Sequence, residues 1–264
     1  MLRTLDKIRL DVSAKLDVEE KSRLGQFMTP ATVARFMASL FAHSNSNLCR
    51  LLDAGAGIGS LSSAFLENHK VNRIEIEAYE IDANFREQLE NIFSCYKTLN
   101  PNLDFAARIL ADDFIESTVN LILSGKRNLF THAILNPPYR KISSDSYHRH
   151  LLRQVGIETV NLYSAFVALA LELLEEGGQL VTIIPRSFCN GTYYQNFRNL
   201  ILQKSAIRQI HLFDSRNKAF SDDKVLQENV IIHLEKSKIQ GDVNISTSTD
   251  DTFSDFVSRS YSFD

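Results

Sequence analysis

Four consecutive residues, Asn136-Pro137-Pro138-Tyr139, carry the most specific chemistry in the chain. Two prolines in succession freeze the backbone, so the Asn136 side chain and the Pro137 carbonyl are aimed in fixed directions. Both offer oxygen acceptors, and neither is a strong base. A planar amino or amide nitrogen that gives its two protons to such acceptors is drawn towards tetrahedral geometry. Its lone pair is then available for in-line attack on an activated methyl group. Tyr139 adds a ring face on which a heterocycle can stack. Asn-Pro also starts ordinary turns, but this tetrad follows directly on the apolar run "HAIL" and lies downstream of a glycine loop.

That loop is "LLDAGAGIGS", with glycines at 55, 57 and 59 between a strand and a helix. The dinucleotide fingerprint needs a glycine where Ser60 stands, and no Gly-Lys-Ser/Thr follows for a P-loop. Asp53 would repel a phosphate-rich ligand and attract an ammonium group. Glu80, ending the next strand, is placed to take both hydroxyls of a ribose. Asp112, Asp113 and Phe114 end the third, where a carboxylate can accept an adenine amino group and a ring can stack on the base. Ammonium, ribose and adenine together describe S-adenosylmethionine better than NAD. The plain alternative is a tight turn flanked by solvated acids.

The elements that must position these groups follow a rhythm of short apolar run, turn and helical pattern. "RLLDAG", "RIEIEAYE", "DFAARILAD", "FTHAILN" and "QLVTIIP" read as strands, with helical patterns between them. "NLYSAFVALALELLEEGG" reads as a long buried helix stopped at Gly177–Gly178. "IRQIHLFD" and "NVIIHLE" have no helix between them, which predicts an antiparallel pair at one edge. The expectation is a Rossmann-like α/β class I fold with a mostly parallel seven-stranded sheet and one antiparallel edge strand. Residues 1–45 read as an N-terminal helical extension, with Thr29 as N-cap before Pro30. Residues 46–240 read as the catalytic domain, and 241–264 as a polar tail.

Composition narrows the class. With 44% hydrophobic and 23% charged residues, the 264-residue chain can bury a large core, so wholesale disorder is excluded. The net charge of −3 means that any nucleic-acid contact must be local. Arg140, Lys141, Arg149 and Arg153 against the single acid Asp145 make such a patch, directly after the tetrad. It is read as a loop on a DNA backbone, with a solvated loop as the alternative. His148 and His150 read as surface histidines, His211 and His233 as sheet-face residues, and Cys189 as a small buried residue; no metal is expected. Three scattered cysteines, no long apolar run and no signal-peptide core predict a cytoplasmic protein with no membrane association.

"NPPY" with "LLDAGAGIGS" upstream resembles the S-adenosylmethionine-dependent N6-adenine DNA methyltransferases of bacterial restriction–modification systems. "GQFMTPATVARFM" is similar to that family's additional cofactor motif and places the chain in the γ-type motif order. The resemblance covers about residues 24 to 235. It implies that Thr29, Asp53, Gly55, Gly57, Glu80, Asp112, Asp113 and Phe114 serve the cofactor. It also implies that Asn136, Pro137, Pro138 and Tyr139 handle an adenine amino group extruded from double-stranded DNA. "KAFSDDKVLQENVII" resembles the family's late motif, in which Phe220 would pack on the flipped base. Such proteins usually continue into a target-recognition domain; the 264 residues are read as holding no separate one, which leaves sequence-specific recognition to a separate specificity domain or subunit if it occurs. Two rival readings stand beside this one: methylation of a glutamine amide in a protein, and a cofactor-binding domain that needs a partner chain for turnover.

Overall fold

The structure is a computed structural model, and it describes residues 28–42, 47–69, 71–214, 228–237 and 239–263, together with Arg9. In chain order the elements are α1 (Ala31–Ser39), β1 (Leu48–Ala54), α2 (Ser60–Asn68), β2 (Arg73–Tyr79), α3 (Ala83–Leu99), β3 (Asp104–Leu110) and α4 (Phe114–Leu123). There follow β4 (Phe130–Leu135), α5 (Tyr147–Gln154), α6 (Leu162–Leu173), β5 (Leu174–Pro185), a 3₁₀ turn (Arg186–Cys189) and α7 (Gln195–Lys204). The chain then forms β6 (Ala206–Phe213), β7 (Asn229–Glu235), β8 (Val243–Ser248) and β9 (Val257–Tyr261).

These strands form one sheet in the order β3-β2-β1-β4-β5-β7-β6-β8-β9. The first five pair in parallel, and β7 runs antiparallel to both β5 and β6. Strand order reverses between β1 and β4, the place where open α/β sheets hold ligands beyond their strand ends. α1, α2 and α3 supply one apolar layer against the sheet. α4, α5, α6 and α7 supply the other. α6 is apolar on every side because it is buried on every side: Leu169, Ala170, Leu171 and Leu173 are inaccessible to solvent.

The parallel α/β architecture agrees with the sequence reading, and the differences have physical causes. Among the described residues the sheet has nine strands, not seven; β7 is antiparallel inside it, and β9, at one edge, runs antiparallel to β8. Residues read as a polar tail form β8 and β9, and β8 pairs in parallel with β6. The polar composition hides this strand because its inward side chains are hydroxyls. Ser246 and Ser248 meet the two ring nitrogens of buried His211 at 3.0 and 3.1 Å. α6 stops at Leu173 because Leu174 already pairs with Phe130 in the sheet. Gly177, with φ of +77°, then serves a kink inside β5, where its N–H donates to the Lys236 carbonyl. Cys189 is exposed. The helical pattern read over residues 2–16 lies outside the described residues, as does Phe220.

Candidate active site

A cleft opens at the carboxyl ends of β1, β2, β3 and β4. Thr29, Gly55, Gly57, Glu80, Asp112, Asp113, Phe114, Asn136, Pro138 and Arg140 all line it, so most of the residues singled out in sequence converge there.

The glycine loop has its own internal logic. Gly55, Gly57 and Gly59 all have positive φ, at 76°, 55° and 85°. At Gly59, which begins α2, a Cβ would meet the Leu89 side chain at 2.8 Å, so α2 and α3 approach closely only around a glycine. The loop's amide donors are spent within the protein. Gly55 and Ala56 donate to the Tyr79 carbonyl at 2.9 and 3.0 Å. Gly57 donates to Glu80 Oε2 at 2.7 Å, while Asp82 N–H donates to Oε1 at 2.8 Å. Few N–H groups remain to cradle a phosphate, which sets this loop apart from pyrophosphate-binding turns.

Glu80 is only 6% exposed yet lines the cleft, and burial raises its carboxyl above the usual range. Each oxygen accepts one backbone bond and keeps a second lone-pair direction for a hydroxyl on the cleft side. Phe114 packs edge-on against Tyr79, with ring centroids 5.1 Å apart, and tilts against Phe166. Asp112 stands exposed at the rim.

Asp113 has more partners than the sequence suggested. It caps α4 by accepting from Glu116 N–H at 3.0 Å, and its other oxygen meets His148 Nε2 at 3.0 Å. Burial pushes its carboxyl up, but the bonds from His148 and the α4 backbone outweigh that and hold it low. The same contact raises the His148 imidazole. His148 therefore lines the cleft beside Asp113 and is no detached surface histidine. Spacing gave no signal for it, because the pair spans 35 residues.

Asp53 does not reach the cleft lining. It is 0% exposed, takes Ser62 Oγ on one oxygen at 2.6 Å, and its Oδ1 has no hydrogen-bond partner among the described residues. Burial raises its carboxyl to about 7. The expected direct attraction for an ammonium group gives way to a carboxyl sealed where β1 meets the loop.

At the tetrad, Asn136 Nδ2 donates to Thr29 Oγ1 at 3.0 Å, and the Tyr139 hydroxyl lies 3.1 Å from both Asn136 Oδ1 and the Ile183 carbonyl. The amide is thus held at both ends, by the Thr29 and Tyr139 hydroxyls. Thr29 does not cap α1: Pro30 holds that position, and the Thr29 hydroxyl is spent on Asn136. Pro137 is buried, and Tyr139 packs edge-on to Tyr163 with ring centroids 6.2 Å apart; neither lines the cleft.

The basic segment after the tetrad is also rebuilt. Tyr147–Gln154 is α5, with Ser146 as its N-cap, not a loop. Arg149 is 7% exposed and paired with Glu158, which also takes Arg153 at 3.0 Å. Those two arginines hold α5 to the following segment, which removes Arg149 from any direct role on DNA phosphates. Arg140, Lys141 and Arg153 are exposed, with Arg140 at the cleft mouth and Arg153 paired with Glu158. Among the described residues no helix is long and apolar enough to cross a membrane.

A parallel sheet continued by an antiparallel β7, with a glycine loop after β1 and a donor-accepting tetrad after β4, defines a class I methyltransferase fold. Solved structures share it. A modification subunit of a putative type I restriction enzyme from Vibrio vulnificus superposes with a TM-score of 0.66 at 14% identity, over 84% of this chain and 47% of that one. The DrdV–DNA complex gives 0.67 at 17% identity, over 93% of this chain and 30% of that one. In sequence, the Type II methyltransferase M.BsuBI of Bacillus subtilis is 50% identical, over 100% of this chain and 53% of its own length. M.PstI of Providencia stuartii is 43% identical, over 89% of this chain and 48% of its own. The family model described as Eco57I restriction-modification methylase matches residues 27–220. The chain belongs to that family. It spans about half the length of the curated relatives it matches.

Proposed function

We propose that this chain transfers a methyl group from S-adenosylmethionine to the exocyclic N6 of an adenine turned out of double-stranded DNA, within a restriction–modification system. The observation that carries the reading is the Asn136 amide, fixed by Thr29 with its oxygen turned away from that contact. The oxygen of an amide held in this way takes the Tyr139 hydroxyl and keeps a second lone pair that can accept a proton from an amino group.

The cofactor is supported by the cleft itself. Glu80 is a buried carboxylate with lone pairs left for hydroxyls, and Phe114 offers a ring to a base. Nothing lies within 4 Å of where a Cβ on Gly57 would project, so that wall is open to a ligand. Gly55, Gly57, Glu80, Asp112, Asp113 and Phe114 would hold the cofactor, with Thr29 closing the end nearest Asn136. When bound, it supplies a methyl group on a sulfonium, which needs no further activation. The protein's part is orientation and acceptance of charge: Asn136 and the Pro137 carbonyl take the amino protons as the nitrogen becomes tetrahedral. No strong base is required. Tyr139 and Phe220 are proposed to stack on the target base, and Arg140 and Lys141 to meet its phosphates.

Sequence selectivity is proposed to come from a specificity domain or subunit outside these residues, in keeping with relatives of about twice the length. The glutamine-amide alternative draws no support from the family. The test is incubation with labelled S-adenosylmethionine and either mixed DNA or cell protein. Label is expected in DNA adenine and is expected to vanish in Asn136→Ala, with cofactor affinity retained. Label in protein, or an active Asn136→Ala variant, refutes the proposal.

A further inference from the structure

Several independent features converge on the segment that follows β5. β5 ends at Pro185, two residues beyond the Ile183 carbonyl that meets the tetrad's Tyr139 hydroxyl. Residues 186–194 therefore begin beside the tetrad, and none of them lines the cofactor cleft. From Tyr139 a row of tyrosine rings runs outward. Its successive centroid distances are 6.2 Å to Tyr163, 5.7 Å on to Tyr194 and 5.1 Å on to Tyr193.

The rings change from buried to open along this row. Tyr163 is 1% exposed, Tyr194 is half-buried, and Tyr193 is 57% exposed. The loop that presents Tyr193 is held in shape. Arg198, on α7, donates to the carbonyls of Phe188, Asn190 and Gly191, and Gln195 N–H donates to the Thr192 carbonyl. Beneath it Phe188 and Phe197 are buried against each other, with centroids 5.6 Å apart. A large aromatic side chain left in water on a braced loop is in position to bind before any ligand arrives.

The surrounding composition fits one kind of ligand. Residues 186–204 contain no acidic residue, although the whole chain carries 32 acids against 29 bases; of the three bases, Arg186 pairs with Glu228, Lys204 with Glu172, and Arg198 braces the loop. Asn190, Thr192, Gln195 and Asn196 are exposed on the same stretch, offering uncharged donors and acceptors. An exposed aromatic ring on a braced loop, neutral amides and the absence of local acids together describe a platform for an unpaired nucleotide.

We propose that the 186–194 loop is a second nucleic-acid contact of this protein, on which Tyr193 stacks against a base of DNA next to the extruded adenine. This rests on the reading under Proposed function and names the contact that reading lacks. Extruding one nucleotide leaves its neighbours without a stacking partner, and Tyr193, at the open end of the row that starts at the tetrad, replaces that partner. Tyr193 acts on binding, with no part in the transfer step.

The test uses the chain with fluorescein-labelled duplex DNA containing one unpaired adenine, followed by anisotropy at low salt, with melting temperature and S-adenosylmethionine affinity measured in parallel. Tyr193→Ala is expected to weaken DNA binding by about 5- to 150-fold, the range for loss of one base–aromatic stack. It should raise KM for DNA while leaving kcat, melting temperature and cofactor affinity unchanged. Tyr193→Phe should bind as the wild type does, whereas Tyr193→Leu should resemble the alanine variant. Wild-type affinity in Tyr193→Ala overturns the proposal, as does rescue by leucine equal to that by phenylalanine. If the wild type methylates DNA and Tyr193→Ala binds normally, this inference alone falls. If the wild type neither binds nor methylates DNA, the functional reading falls with it.

Discussion

Replacing Asp53 by asparagine should change the pH dependence of stability in a defined direction. In the unfolded chain the Asp53 carboxyl titrates near its ordinary 3.8, whereas burial moves it to about 7 in the folded protein. Between those values the folded state holds a proton that the unfolded state has released. Stability therefore falls as pH rises through this window and is level above it. Each pH unit in the window is worth about 1.4 kcal/mol, which bounds the loss at about 4 kcal/mol by pH 8. The side chain introduced by Asp53→Asn cannot titrate and keeps an oxygen for the Ser62 hydroxyl. Its amide group falls where Oδ1 of Asp53 has no partner among the described residues, which adds an offset of about 1–3 kcal/mol that is independent of pH.

The quantity to measure is the difference in unfolding free energy between Asp53→Asn and wild type, by urea titration from pH 5 to pH 8. Buried histidines act in the opposite sense. Burial lowers His132 to about 3 and His211 and His233 to about 4. Stability is therefore lost as pH falls below about 6.5, where they would charge in the unfolded chain. They are common to both proteins and cancel in the difference. The variant should gain on the wild type by about 2–3 kcal/mol between pH 5 and pH 8, the share of the window that lies above pH 5. A difference that stays flat across that range refutes a sealed, high-pKa carboxyl at this position.

Two further outcomes follow from the site. Glu80→Gln can accept from only one of the two N–H groups at 2.7 and 2.8 Å, so one is left unsatisfied. It should lower stability by about 1–3 kcal/mol and weaken S-adenosylmethionine binding, measured by calorimetry; a variant with both unchanged contradicts the double role. Arg149→Ala removes a buried guanidinium from the half-exposed Glu158 and should reduce stability by about 1–3 kcal/mol, as read from urea midpoints. The slope of log Kd for DNA against log salt should not change, and a flattened slope would return Arg149 to the phosphate contacts.

The residues whose chemistry is local were readable from the sequence. The Asn136–Tyr139 tetrad, the glycine loop and Glu80 each sit at a strand end, and a strand end is marked by an apolar run followed by punctuation. The alternation of strands and helices gave the parallel sheet for the same reason. What stayed hidden depends on contacts between distant segments. His148 becomes part of the site only because α5 lies against α4, and no spacing rule announces a pair 35 residues apart. Arg149 reads as surface charge until Glu158 is seen beside it, since local charge counting cannot tell a pair from a patch. Asp53 reads as a cleft carboxylate because the alternation of a strand gives its face but not its depth. β8 escaped because its inward side chains are serines that meet His211, a polar interior that hydrophobic periodicity does not register.

The turn between β8 and β9 carries a consequence for the order of assembly. Phe253 stacks on Phe36 with ring centroids 4.4 Å apart, and Asp251 accepts from Thr32 across 219 residues of chain. Thr32 and Phe36 belong to α1, which is preceded by Thr29, the residue that grips the Asn136 amide. During synthesis β1 to β5 can pair in parallel while the rest of the chain is still being made. α1 also packs its apolar face on α2 and the sheet, but its outer contacts through Thr32 and Phe36 wait for residues 251 and 253. Closing so long a loop is slow, but it adds little to its equilibrium cost, because closure entropy grows only logarithmically with length. The ribosome thus delivers a folded sheet first, and the outer clasp on α1, the helix that follows Thr29, closes only after β8 and its turn have emerged.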